Sequence, residues 1–103
     1  MKLCSTKELN TFTNTNRGWK LNKANTVLSA AYTFDSHIDA LTFVMRVTIH
    51  AQIKQHHPDI VFTYGKVQIK LTTHDVSGLT KKDIQLAKVI HALYQPAVKK
   101  DLK

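Results

Sequence analysis

The clearest pattern in the chain lies at residues 66–72, where Val67, Ile69 and Leu71 take every second position and Lys66, Gln68, Lys70 and Thr72 fill the gaps. Successive side chains of a strand point to opposite faces, so this stretch predicts a strand in a sheet that is covered on one side and wet on the other. "IVFTY" precedes it across Gly65, and the two read as a hairpin. A second hairpin is predicted upstream. There "WKLNK" and "TVLSAAYTF" flank a short Asn-containing link, and Leu28, Ala30, Tyr32 and Phe34 form an apolar face.

Three helix starts share one device. Ser5, Ser36 and Thr80 each stand three residues ahead of an acid, Glu8, Asp39 and Asp83 respectively. A hydroxyl in that position caps the first turn, and the acid suits the positive end of the helix. The first helix is short, with Leu9 and Phe12 on one side, and is expected to dissolve into "TNTNRG", whose Asn, Thr and Gly favour turns. The second is predicted from about Ser36 to Gln55. The third runs from about Thr80 to Tyr94, with Leu86, Ile90 and Leu93 on one face and Pro96 as its stop. The order α-β-β-α-β-β-α predicts an α+β fold, a four-stranded antiparallel sheet with three helices on one face.

The second helix is unusual. At 100° per residue Asp39, Thr42, Arg46 and His50 fall in one narrow polar stripe, while Ile38, Leu41, Phe43, Val44, Met45, Val47 and Ile49 spread around the remainder. One sheet cannot cover so wide an apolar surface. Either the first and third helices cover the excess or a second subunit does, and the pattern leaves both open.

Composition narrows the class. A chain of 103 residues fits a single domain over 1–103, with a core of about 5–95 and a basic C-terminal tail at 97–103. At 43% hydrophobic residues with no biased tract, an ordered globular protein is expected rather than a disordered one. No apolar run reaches the roughly 20 residues of a membrane span, and "MKLCSTKELN" lacks the apolar centre of a secretory signal, so an intracellular setting is expected. Cys4 is the only cysteine, which excludes an internal disulfide and suggests neither a zinc ribbon nor a redox pair. The net charge of +8 raises the question of nucleic acid. Its lysines are scattered along the chain, with one cluster at Lys99, Lys100 and Lys103, so a solvated basic surface is the better reading.

The candidate chemistry is histidine. His56 and His57 follow the second helix and precede Pro58, and His74 follows the last strand. Antiparallel neighbours reverse direction at their turn, so the start of "IVFTY" lies beside the end of "KVQIKLTT" and the three imidazoles converge at one end of the sheet. Imidazole titrates near neutrality, so one ring can donate a proton while another accepts one, which suits general acid/base chemistry without metal or covalent intermediate. Two rival readings stand beside it. A three-histidine zinc site is disfavoured because adjacent His56 and His57 point in divergent directions and no cysteine helps. Surface histidines with no task are the other, and His37, His50 and His91 are assigned to structure or surface.

These residues also form a pattern. "HHPD", Tyr64 six residues after Pro58, "THD" with His74, and "SGLTKKD" ending at Asp83 closely resemble the signature of the pterin-4a-carbinolamine dehydratase family, and Trp19, Phe34 and "RVTIHAQ" fit as well. The resemblance covers about residues 5–95. It implies a hydro-lyase that dehydrates 4a-hydroxytetrahydrobiopterin to quinonoid dihydrobiopterin in tetrahydrobiopterin recycling, with no metal or organic cofactor. It further implies His56 and His74 as the acid/base pair and His57 as the residue that positions the pterin ring. Thr72 and Thr73 would hold the ring through backbone groups, and Asp83 and Gln52 would complete the substrate site, with a structural capping role at least as expected for Asp83. Members of the family form dimers or tetramers, and some serve as dimerisation cofactors of a transcription factor, so the alternative to catalysis is an interaction module with weak activity or none. A cytoplasmic location, with nuclear presence in the second case, accords with both. Two positions depart from the pattern: Gln52 replaces the usual Glu four residues before His56, and Ile60 replaces an aromatic two residues after Pro58. An amide can hydrogen-bond an imidazole but cannot stabilise an imidazolium as a carboxylate does. Both changes are expected at the pocket rim.

Overall fold

The computed structural model of the protein describes residues 2–94. Its centre is the pairing of two strands distant in sequence, β2 (Leu28–Thr33) and β4 (Lys66–Leu71). They run antiparallel with Leu28 opposite Leu71, Ala30 opposite Ile69 and Tyr32 opposite Val67. That register gathers six apolar side chains on one face, and all six are buried. Burying a side chain of the Val, Leu or Ile class stabilises by about 1.5–3 kcal/mol, so this face is the main source of cohesion. The strands β1 (Lys20–Leu21) and β3 (Asp59–Thr63) complete the antiparallel sheet in the order β1-β2-β4-β3. On its other face Lys20, Thr33, Lys66, Gln68 and Lys70 are exposed.

Three helices cover the buried face: α1 (Thr6–Thr15), α2 (His37–Lys54) and α3 (Lys81–Leu93). Leu9 and Phe12, then Ala40, Phe43, Val47 and Ala51, then Leu86, Ala87 and Ile90 join Trp19 and the strand residues in one core. The α+β fold and its element order are those expected from the pattern. So are the caps, since Ser5 with Glu8 and Thr80 with Asp83 form capping boxes and Ser36 accepts the Asp39 N–H. The proposed Pro96 stop and the basic tail at 97–103 lie outside the described residues.

Three local differences have physical causes. Helix α1 continues to Thr15 instead of dissolving in "TNTNRG", and Asn16 closes its end, with both its N–H and its Nδ2 donating to the Phe12 carbonyl. Strand β1 is only two residues long, because the Asn22 side chain accepts the Thr26 and Val27 N–H groups and folds the link upon itself. Strand β4 stops at Leu71. Thr73 then bridges to Gly78, enclosing a 3-10 turn at His74–Val76 that alternation alone does not predict.

Helix α2 answers the question its sequence raised. The other helices leave Ile38, Leu41, Met45, Ile49 and Ile53 exposed, from 39% at Leu41 to 71% at Ile53. These positions repeat at three and four residues, so they form one stripe along the outer side of the helix. Among the described residues no helix is long and apolar enough to cross a membrane.

Candidate active site

The site begins with the way α2 ends. Gln55 takes the left-handed conformation at φ 53°, and the His56 N–H reaches back to the Ala51 carbonyl at 3.1 Å while the Gln55 N–H reaches Gln52. This is the hydrogen-bond pattern of a glycine-type helix stop made with glutamine. Left-handed geometry costs a non-glycine residue about 1–2 kcal/mol, and it turns the chain sharply so that His56 enters the protein while His57 stays outside. Ser77, at φ 51°, ends the 3-10 turn after His74 in the same conformation. Strain of this kind gathers where surrounding structure holds a residue to a task.

His56 is 9% exposed. Its Nε2–H donates to Asp83 Oδ1 at 2.5 Å. Asp83, in the first turn of α3, is wholly buried. A buried carboxylate needs donors, and Asp83 Oδ2 accepts the Thr73 hydroxyl at 2.7 Å and the Thr80 N–H at 2.9 Å. The Thr73 and Thr80 hydroxyls are themselves 3.0 Å apart. Every polar hydrogen of the Asp83, Thr73 and Thr80 side chains is therefore engaged within the protein, and no hydrogen bond to another described residue engages the second nitrogen of His56.

His57 is held differently. It is exposed, and its Nε2–H donates to Gln52 Oε1 at 3.0 Å, one turn back on α2. His74 opens the 3-10 turn and is exposed. The three histidines nevertheless border one hollow of about 220 Å³, together with Gln55, Thr72, Thr73, Asp75 and Lys82. The convergence at one end of the sheet is thus present in the fold. The hollow's walls combine a buried imidazole backed by a carboxylate with two solvent-facing imidazoles, a set that can accept one proton and deliver another to a ligand between them.

The remaining expected site residues fall into place unequally. Gln52 stands behind His57 and does not border the hollow. Asp83 likewise stands behind His56, serving at once as helix cap and imidazole partner. The Thr72 hydroxyl donates to the Thr26 carbonyl at 2.7 Å and braces the strand exit. The Thr73 N–H donates to the Gly78 carbonyl, and its own carbonyl accepts from Val76 and Gly78, so both backbone groups are occupied within the fold. Ile60 is not at the rim: it stands opposite Ile69 and packs against the core. Tyr64 lies at the hairpin end, 86% exposed and stacked on His37. Sequence reasoning passed over Thr80 and Lys82, although both stand in the "SGLTKKD" run and Thr80 was already identified as a cap. Among the described residues no group of three or more His, Cys, Asp or Glu is arranged to hold a metal ion.

Comparison with known proteins agrees with this arrangement. The family model for pterin 4 alpha carbinolamine dehydratase matches residues 2–93. A candidate pterin-4-alpha-carbinolamine dehydratase of Sulfurisphaera tokodaii is 39% identical over 93 residues, covering 90% of this chain and 98% of its own. A counterpart in Rhodospirillum rubrum is 42% identical over 72 residues, covering 70% and 75%. Among solved structures, a transcriptional coactivator/pterin dehydratase from Brucella melitensis superposes with a TM-score of 0.86 at 23% identity, over 91% of this chain and all of that one. A pterin dehydratase-like protein identified as a RuBisCO assembly factor in the alpha-carboxysome superposes with a TM-score of 0.65 at 19% identity, over 74% and 88%. With a family model spanning nearly the whole described fold and the three histidines gathered at one hollow, the chain belongs to the pterin 4 alpha carbinolamine dehydratase family.

Proposed function

We propose that the protein removes water from a 4a-hydroxytetrahydropterin, with 4a-hydroxytetrahydrobiopterin as the substrate, to give the quinonoid dihydropterin. The observation that carries this reading is the meeting of His56, His57 and His74 at one hollow with Asp83 buried behind His56. In the reaction the C4a–O bond breaks and its electron pair leaves with the oxygen. The N5–H bond gives its pair to form the N5–C4a double bond. One group must protonate the departing hydroxyl, and another must take the N5 proton. Solvent-facing His74 is the acid and His56 the base. The buried carboxylate of Asp83 stabilises the imidazolium that forms on His56. His57, tethered by Gln52, positions the ring.

The test is a steady-state assay with freshly generated carbinolamine. Purified protein should accelerate dehydration, and His56→Ala and His74→Ala should each fall to the spontaneous rate while His37→Ala retains turnover. Protein that never exceeds the spontaneous rate overturns the reading.

A second reading rests on the exposed stripe of α2. Five apolar side chains on one helical face fit a second copy of the same helix, so a homodimer or homotetramer is proposed. The coactivator and assembly-factor neighbours give precedent for the alternative, in which this face serves a different protein, such as a transcription factor. Light scattering on the eluting protein separates the two. A stable dimer or tetramer supports self-association, and a monomer at micromolar concentration rejects it.

A further inference from the structure

We infer that Thr73 is a positioning residue that fixes the proton on His56 through Asp83, rather than a group that touches the pterin. The inference rests on the dehydratase reading of the hollow. The hydrogen bonds around Asp83 have a single consistent direction. The Thr80 hydroxyl oxygen accepts the Lys82 N–H at 3.3 Å. The Thr73 hydroxyl donates its one proton to Asp83 Oδ2 at 2.7 Å, so in its 3.0 Å contact with Thr80 it must be the acceptor. Thr80 donates to Thr73, Thr73 donates to Asp83, and Thr80 N–H adds a second donor to the same oxygen. With Oδ2 occupied twice, Oδ1 is the oxygen left to His56, and an ionised carboxylate can only accept.

The consequence reaches the hollow. His56 must carry its proton on Nε2, which leaves the lone pair of the neutral ring on Nδ1. That is the tautomer a base needs if Nδ1 is to receive the substrate's proton. Carboxyl groups rotate easily about their last side-chain bond, in a broad two-fold well. The Thr73 hydroxyl removes that freedom by holding one oxygen against the start of α3. Thr73 has no group left for a ligand, because its hydroxyl, N–H and carbonyl all have partners inside the protein.

Thr73→Val keeps the shape of the side chain and deletes the donor, whereas Thr73→Ser keeps the donor. Behind metal-ligating histidines, loss of an outer partner typically costs about 10–100-fold, and the same order is the scale for His56. We expect Thr73→Val to lose at least tenfold in kcat with KM within about twofold, and Thr73→Ser to recover most of it. In ¹⁵N-labelled protein the low-field resonance of the His56 Nε2 proton should be present in the wild type and Thr73→Ser and displaced or lost in Thr73→Val. A Thr73→Val enzyme with wild-type kcat and an unmoved resonance overturns the inference. So does a variant in which only KM rises, since that marks direct contact with the ring. Should Thr73→Val not fold, the wild-type spectrum still decides, because a His56 protonated on Nδ1 contradicts the network. A wild type that does not dehydrate the carbinolamine sinks the dehydratase reading alone, and the resonance comparison then judges the brace by itself.

Discussion

A histidine stands at each end of helix α2, His37 as its first residue and His56 just past its last, and the two rings are used in opposite ways. At its first residue, His37 is stacked between Phe62, with centroids 4.7 Å apart, and Tyr64, at 4.8 Å, both within 10° of parallel. The Gly65 N–H donates to His37 Nδ1 at 3.3 Å, so the ring clamps the β3–β4 turn to the helix. Nearby, Tyr32, Phe34, Phe43 and Tyr94 pack ring on ring, and burial pushes the Tyr32 hydroxyl up to about 12. Past the other end of α2, His56 meets a wholly buried carboxylate and a ladder of hydroxyls. One imidazole is packed as an aromatic plate and the other is wired to a buried carboxylate. The sheet thus carries its stacked rings at the hairpin end and the buried His56–Asp83 pair at the other.

The largest expected effect comes from cutting the wired end. Asp83→Ala removes both acceptor oxygens and leaves the buried N–H groups of His56 and Thr80 without a partner. Breaking a buried pair from one side costs about 3–5 kcal/mol, so urea unfolding should show a loss of that order and dehydration should fall to the spontaneous rate. Cutting the packed end should separate the two quantities. His37→Ala gives up two stacked contacts worth about 0.5–1.5 kcal/mol each, the one with Tyr64 discounted for its exposure, so a loss of about 1–2 kcal/mol is expected with turnover retained. An inactive His37→Ala that still folds, or an Asp83→Ala as stable as the wild type, would erase the contrast.

Much of this division is legible in the sequence. Strict alternation from Lys66 to Leu71 identifies both the strand and its buried face, and three hydroxyl-acid pairs mark every helix start, because each of these signals is local. The convergence of His56, His57 and His74 follows from antiparallel geometry alone. What stays hidden depends on three segments meeting. Whether Thr73 turns its hydroxyl to Asp83 or to solvent is decided by the Thr73–Gly78 bridge and the entry of α3, neither of which has a sequence period. Ile60 is instructive, since its register opposite Ile69 assigns it to the core face, yet motif spacing from Pro58 suggests the rim. Tyr64 shows the same limit: it belongs to the motif, but the remainder of β3 carries it to the packed end of the sheet, onto His37.

The finest distinction lies within the wired end, between a histidine backed by a carboxylate and one backed by an amide. Gln52 holds His57 through a neutral oxygen, on the exposed side of the helix end. Gln52→Ala should leave stability within about 0.5 kcal/mol, as exposed substitutions do, and should raise KM severalfold with little change in kcat, because only the ring's tether is lost. Gln52→Glu should act differently. A carboxylate accepts the ring's N–H more strongly than an amide oxygen does, so the tether is kept. Gln52→Glu should therefore keep KM near the wild-type value where Gln52→Ala raises it. A KM that moves in neither variant means that the contact between positions 52 and 57 is not kept in solution. In that case the two adjacent histidines differ through Asp83 alone.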